Sequence, residues 1–485
     1  MLPFTGRMGT LQVAAPAKAT GGTAWRWAVV LLPGVLLYLL PLPLLRPDQR
    51  HLVAFFVATI IALIAQPMAM GASILLSMTA LALTNTLPPT VVLSGFADPT
   101  VWLIFTAFLF SRAVTDTRLG TRVAYLFIRK FGRNALTLGY SISVSDLVLA
   151  PFVPSDTARG GGIICPITKS VAEALGSEPG TESGKMGGFL VLVAFHTTYI
   201  ASAMFLTGMA ANPLMADFAL KIGHVEMTWI RWFVGAIVPG GISLLLIPLL
   251  LYRFYRPAST DTEAARVHAR RELDEMGRLS SRERRLAVIM LLVMAGWVTS
   301  PWHHIPNAFV ALAGVSAILV SRVLAWGDLL GETKAWDALI WFAPLIMMAG
   351  ELNKRGVIQE LSHSVFGYTK LLPWSVALVF LALTYLYVHY GFASMTAHIT
   401  ALYPGFLTAA LATGAPPLLA AFVLAYFSNL NAGITHYGTG SAPVYFGVGY
   451  VTQGTWWKVG FLLSLVIVAV WLGLGMLWWK FVGYW

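Results

Sequence analysis

Pro154-Ser155-Asp156-Thr157-Ala158-Arg159 and Ala393-Ser394-Met395-Thr396-Ala397-His398 follow one pattern, Ser-x-Thr-Ala and then a basic residue. Residues 155 and 394, like 159 and 398, are 239 positions apart, and both runs interrupt apolar sequence. Ser155 and Ser394 are the residue type that caps helix N-termini. A helix starting within a membrane presents unpaired N–H groups and the positive end of its dipole. Two opposed starts make two neighbouring anion sites. Discontinuous helices meeting at the bilayer midplane are the mark of transporters built from inverted repeats. The pair of runs therefore predicts a transporter of small anions, with room for two carboxylates.

Composition agrees. Of 485 residues, 57% are hydrophobic and 11% charged, against about 25% charged in soluble domains. The chain reads as an all-α polytopic membrane protein of about 11 transmembrane helices plus two re-entrant helical hairpins. The expected spans are 24–45, 51–66, 70–87, 101–114, 187–218, 229–251, 286–297, 308–324, 339–349, 418–447 and 459–481. Trp and Tyr near span ends, such as Trp25, Trp229 and Trp478, fit an aromatic belt. The net charge of +11 comes largely from loop arginines. The positive-inside rule explains these, and nucleic acid is not an expected partner. The lone Cys165 excludes an internal disulfide and a cysteine metal cluster. No cofactor or metal motif is present in the sequence. Residues 1–23 form a tail without the regions of a signal peptide.

The organisation is two similar halves, 24–252 and 286–485, joined by a charged linker, 253–285. Trp102 and Trp341 share the 239-residue offset, and Phe131-Gly132 aligns with Phe366-Gly367. Each half has a charged amphipathic stretch (111–133 and 351–370), then a hairpin folded at the Ser-x-Thr tip (135–175 and 373–412). A span broken in the middle follows (187–218 and 418–447). The breaks are Thr207-Gly208-Met209-Ala210-Ala211-Asn212-Pro213 and Thr435-His436-Tyr437-Gly438-Thr439-Gly440-Ser441-Ala442-Pro443. Broken backbone is tolerated in a membrane only where protein or a water-filled site satisfies it. With the linker cytoplasmic, the hairpins enter from opposite faces, the N-terminus is cytoplasmic and the C-terminus outside.

The candidate substrate-binding residues are Ser155, Asp156, Thr157, Thr207, Gly208 and Asn212 from the first half, and Ser394, Met395, Thr396, Thr435, His436 and Thr439 from the second. Arg159 and His398 lie one turn below the capping serines and are candidates for fixed positive charge. A charge at that depth must be paired or hydrated. Arg159 pairing with Asp146 or Asp156, and His398 as a packed neutral ring, are the plain structural readings. Asp156 either pairs with Arg159 or titrates and carries a proton. Gly160-Gly161-Gly162 permits close backbone approach after the first tip. His196-Thr197-Thr198 and Ser428-Asn429-Leu430-Asn431 precede the breaks and are candidates to line the site.

Through Pro154–Gly162, Thr207–Pro213 and Thr435–Pro443, the chain resembles the divalent-anion:sodium symporter family, in particular its di- and tricarboxylate exchanger branch. The resemblance covers roughly residues 25–485. It implies a homodimer with elevator-type motion in a bacterial inner membrane, exchanging succinate, malate, fumarate, 2-oxoglutarate or related acids for a counter-substrate. It implies that the tips at 155–157 and 394–396 bind the carboxylates. It also implies that Arg159 and His398 stand where sodium-coupled members hold cations. Asp156 and Met395 depart from the family's Ser-Asn-Thr, and Met395 offers no hydrogen-bond donor. The competing readings are a sodium- or proton-coupled symporter of the same fold, a membrane-embedded enzyme and a passive channel. The enzyme reading lacks a nucleophile–base–orienter set.

Overall fold

In a computed structural model, residues 23–40, 45–180, 184–257, 259–357, 360 and 372–485 are described below. The chain is all-helical among these residues. Seven helices are long and apolar enough to cross a membrane: Pro47–Ala65, Gly184–Met204, Trp229–Phe254, Thr333–Lys354, Trp374–Gly391, Pro417–Ile434 and Gln453–Phe481. Four shorter apolar helices accompany them: Ala24–Leu39, Met70–Leu83, Ala135–Leu149 and Asn307–Val320. The expected count of about 11 full spans is therefore not reached by length alone.

The differences have local causes. Helix Met70–Leu83 stops four residues before the expected end, where Thr84 Oγ1 bonds back to Ala80 O at 2.8 Å and Asn85 takes a positive φ. The short stretch expected at 339–349 is the middle of Thr333–Lys354, whose charged ends hid its length. The stretch expected at 101–114 runs Pro99–Thr117, because Asp98 caps it, accepting from Thr100 N at 2.8 Å, with Pro99 at the first helical position. The matching anchor Phe366-Gly367 and the tail 1–22 lie outside the described residues.

The charged linker is partly helical and partly buried. Helix Trp229–Phe254 runs two residues past its expected boundary into it. Within it, Glu263–Met276 is a helix with Ala265, Ala269 and Leu273 buried, packed along Leu119–Phe131. Arg122 fixes the contact. Its Nε donates to Glu283 Oε1 at 2.6 Å and its Nη1 to Gly277 O at 2.9 Å. Ser280 and Glu283 form a capping box, so 281–285 begin the next helix, Ser281–Val298.

Burial sorts the helices into a centre and a periphery. Gly184–Met204 is wholly buried over its apolar window and Pro417–Ile434 nearly so, while Pro47–Ala65, Trp374–Gly391 and Gln453–Phe481 are mostly uncovered. Leu75, Leu245, Leu291, Leu292, Phe380 and Leu477 on outer helices are exposed. That inversion of a soluble surface is what a lipid environment selects.

Both halves show the same order of elements. In the first, Ala135–Leu149 is capped by Asn134, whose Oδ1 accepts from Thr137 N at 2.9 Å. It turns at 150–156 and returns through Thr157–Ile164, wound in wide π-type turns, into Cys165–Ala174. Gly184–Met204, a break at 205–211 and Asn212–Gly223 follow. In the second, Trp374–Val388 turns at 389–394 into Met395–Ala412. Pro417–Leu430, a break at 431–441 and Ala442–Gly447 follow.

Candidate functional site

At the first tip Ser155 acts as expected: its Oγ accepts from Ala158 N at 3.2 Å, and its carbonyl accepts from Arg159 N at 2.8 Å. Arg159 then turns inward and is fully buried. Its Nε donates to Asp146 Oδ1 at 2.9 Å. Nη1 donates to Val153 O at 2.8 Å and Gly208 O at 3.0 Å, and Nη2 to Thr198 O at 3.0 Å and Ser202 Oγ at 2.7 Å. All five guanidinium donors are thus occupied. The oxygens come from the outgoing hairpin arm, the turn, the buried helix and the break, so one side chain ties four segments. Its partner is Asp146, as one of the plain readings held, and not Asp156.

The first break is held by its own side chains. Thr207 Oγ1 donates to Pro151 O at 2.8 Å and accepts from Trp229 Nε1 at 3.1 Å. Asn212 Nδ2 donates to Ser202 O at 3.0 Å and to Phe205 O at 2.9 Å, the second a carbonyl that also accepts from Gly208 N at 2.8 Å. Asn212 Oδ1 accepts from Asn429 Nδ2 at 2.9 Å, joining the two broken helices.

Asp156 and Thr157 reach across to the other half. Asp156 Oδ2 accepts from Ser441 Oγ at 3.1 Å and from Thr439 Oγ1. A Cβ built on Gly440 would lie 2.3 Å from Thr157 Oγ1, so this contact exists only because position 440 is glycine. Gly160 has the same function: a Cβ there would lie 2.7 Å from Thr198 Cγ2. The first tip and the second break therefore form one surface.

The second tip repeats the cap but not the cage. Ser394 Oγ accepts from Ala397 N at 3.3 Å and its carbonyl from His398 N at 3.1 Å. Met395 and His398 are buried and Thr396 is half-buried. The His398 ring sits among Tyr385, His389 and Phe392, with centroids 4.4, 4.9 and 5.0 Å away. Both of its nitrogens lack hydrogen-bond partners, as do Thr435 Oγ1 and both amide atoms of Asn431. His436 stands apart: Trp457 Nε1 donates to its Nδ1 at 2.9 Å, and its ring neighbours are Tyr437, Phe446 and Trp457.

Of the other flagged residues, Thr198 enters the site through its carbonyl, while His196 Nδ1 pairs with Tyr199 Oη at 2.8 Å. Ser428 Oγ meets Tyr385 Oη at 2.8 Å. Sequence reasoning missed Ser202, Ser441 and His389. Ser202 and His389 belong to no repeated motif, and Ser441 lay within a quoted run without being singled out.

Long buried helices interrupted at the centre, with helix-capping tips against the interruptions, define a polytopic membrane transport protein. A family model described as "Sodium:sulfate symporter transmembrane region" matches residues 22–485, and the chain belongs to that family. It is 46% identical over 460 residues to the Bacillus subtilis (strain 168) protein described as "Putative malate transporter YflS", covering 94% of this chain and 96% of that one. It is 42% identical over 478 residues to "Dicarboxylate transporter 1, chloroplastic" of Arabidopsis thaliana, covering 98% and 86%. In fold it is similar to the crystal structure of the Alcanivorax borkumensis YdaH transporter, with a TM-score of 0.54 at 15% identity over 81% of this chain and 88% of that one.

Proposed function

We propose that this protein is a dicarboxylate exchanger. Succinate, malate, fumarate, 2-oxoglutarate or a related acid enters in return for a counter-substrate. The malate and dicarboxylate transporters among its relatives support the substrate class, and two capped tips supply two places for carboxylates. The observation that carries exchange is the Arg159 cage. Three carbonyls, a hydroxyl and a carboxylate converge there. Such an all-oxygen set suits a hard cation, and a tethered guanidinium fills it. A cation that cannot leave needs no gradient to deliver it. It also makes return of an empty carrier no easier than return of a loaded one.

In this reading Ser155, Thr157, Ser394 and Thr396 contact the carboxylates. Thr207, Gly208, Asn212, Thr435 and Thr439 shape the breaks behind them. Arg159 works through the cage and not by touching substrate. Asp156 supplies acceptors that hold the second break until substrate arrives. The hairpins are re-entrant, the halves are inverted repeats, and a homodimer in a bacterial inner membrane moves the site by an elevator motion. The linker is cytoplasmic, with the N-terminus on the same side and the C-terminus outside.

The test is uptake of labelled succinate, malate and 2-oxoglutarate into proteoliposomes, with and without unlabelled dicarboxylate inside, at zero and high sodium. Uptake that requires preloading and ignores sodium is expected. Uptake into empty vesicles driven by a sodium or pH gradient overturns exchange in favour of symport.

A further inference from the structure

His389 and His398 are both fully buried, and their rings meet edge to face, with centroids 4.9 Å apart and planes at 74°. His389 Nε2 lies 2.7 Å from Gly438 O. A carbonyl only accepts, so Nε2 carries the hydrogen and Nδ1 of the neutral ring is a bare lone pair. That Nδ1 is buried without a partner, as are both nitrogens of His398. Thr435 Oγ1 and His389 Nε2 both lie close over Gly438, 2.9 and 3.1 Å from the position of a Cβ there, so the unpaired Thr435 hydroxyl and this imidazole face the same glycine.

Among the described residues no countercharge is at hand. Tyr385 on the neighbouring arm bonds Ser428. On Asn212–Gly223, Asp217 and Lys221 pair with each other at 2.7 Å. Pro47–Ala65 brings Asp48, which lies beside Arg46 and Arg355, as well as Arg50 and His51, the last stacked on Tyr38. On Pro417–Leu430, Tyr426 bonds Trp232 O. A proton on the empty pair would be a buried cation without a counter-ion, which is unfavourable. A carboxylate against the neutral pair would meet the bare lone pair of His389 Nδ1 and could draw only a single neutral hydrogen bond, from the one N–H of His398. The proton alone is unfavourable and the carboxylate alone is weakly held, and together they are complementary: a protonated imidazole donates N–H to the carboxylate that neutralises it. Met395, which stands where a polar tip residue would be, leaves this task to the ring nitrogens.

We propose that His389 and His398 form a two-imidazole subsite that takes up one proton as it takes the substrate's second carboxylate. The inference rests on the dicarboxylate reading above. The proton comes from water, adds to a free ring nitrogen of the pair and leaves with the substrate. In exchange it accompanies each dicarboxylate in both directions. Binding and protonation are then reciprocally linked, so affinity rises about tenfold for each unit fall in pH where the empty pair is unprotonated.

The test is calorimetric titration of purified wild-type protein with 2-oxoglutarate and with malate near neutral pH, in buffers of different ionisation enthalpy. 2-Oxoglutarate is the stricter probe because both of its carboxyls stay ionised well below neutral pH. About one proton taken up per dicarboxylate is expected from the linkage. It is expected to fall towards zero in H389Q, whose amide keeps a donor for Gly438, and in H398Q. Binding without proton uptake, binding that needs sodium instead, or undiminished uptake in both variants overturns the inference and leaves the dicarboxylate reading standing. Absence of binding by either acid overturns the dicarboxylate reading as well.

Discussion

Removing the Arg159 side chain tests the cage directly. Arg159→Ala deletes five hydrogen bonds and leaves Asp146 without its counter-ion in a fully buried place. Hydrogen bonds within membrane proteins average about 0.6 kcal/mol each, so five amount to about 3 kcal/mol. Breaking a buried ion pair from one side costs about 3–5 kcal/mol. The two routes agree on a loss of roughly 3–5 kcal/mol, far outside the ±0.5 kcal/mol or so typical of surface substitutions. Arg159→Lys keeps the charge but has three donors in place of five, so it is expected to fall between. The alanine variant also leaves the oxygens of Val153, Thr198, Ser202 and Gly208 around the Asp146 carboxylate. A cation supplied from solution then has a ready set of ligands. The expected outcome is a purified variant that melts several degrees early, and whose stability and exchange recover in part with sodium. The assay is thermal unfolding in detergent and exchange in proteoliposomes, each across a sodium series. A variant that melts and exchanges like wild type, whatever the sodium, would refute the cage as both brace and cation substitute.

Other contacts give narrower expectations. Asp156→Ala leaves the hydroxyls of Thr439 and Ser441 without their acceptor and is expected to cost about 1–3 kcal/mol. Asp156→Asn keeps an acceptor oxygen and is expected to cost less; equal thermal shifts for the two count against the contact. Gly440→Ala drives a methyl into Thr157 Oγ1 and is expected to destabilise the fold, while adding Thr157→Ala, which removes that oxygen, is expected to restore melting. If the double variant is no better than the single, the close approach is not the cause. At the linker, burial pushes the Glu283 carboxyl up, but hydrogen bonds from Arg122 and Ser280 outweigh it and leave the group below the usual glutamate range. A depressed carboxylate stabilises the fold above its unfolded value, and this is lost as pH falls through the folded one. Glu283→Gln is therefore expected to flatten the acid limb of stability below about pH 4.3 and to lower stability at neutral pH. An unchanged acid limb argues against the Arg122–Glu283 lock.

The capped turns and the helix interruptions were legible because they combine opposite signals. Ser155 and Ser394 are caps placed where apolar sequence leaves no other reason for a polar residue. Both serines cap as expected, and both breaks fall where Gly and Pro interrupt the spans. Helix lengths were less legible. Thr333–Lys354 carries charge at both ends, so hydropathy alone saw only its middle, and Pro99–Thr117 gains its first residues from the Asp98 cap and Pro99. The partner of Arg159 was not decidable from spacing. Asp156 is nearer in sequence, but Asp146 lies on the opposing hairpin arm, and only the fold brings it within 2.9 Å. His389 was invisible for the same reason: it belongs to the end of the outgoing arm and meets His398 only once the tip is turned.

The two tips match in sequence pattern and differ in how far the protein completes them. At the first, a basic residue reaches five oxygens, and Asn212 closes nearby carbonyls of the break. At the second, the basic residue is an imidazole too short and too poor in donors to bridge comparable distances, and Asn431 has no partner for either amide atom. Buried polar groups are retained without partners only at a cost. An arrangement that leaves His389, His398, Asn431 and Thr435 open on one side, while every guanidinium donor is met on the other, is consistent with division of labour. The first tip is a nearly complete brace, with Asp146 Oδ2 left unpartnered beside the salt bridge. The second is incomplete until something polar arrives, and it is there that binding energy is available to change the conformation. A ligand shifts a conformational equilibrium only by its differential affinity for the states. The half with unmet hydrogen bonds is the half able to supply that difference. Substitutions at the second tip are accordingly expected to change substrate affinity and its pH dependence before they change stability, and those at the first tip to do the reverse. Parallel melting and uptake measurements on His398→Gln and Arg159→Lys decide this. Equal proportional losses in both quantities for both variants would collapse the distinction.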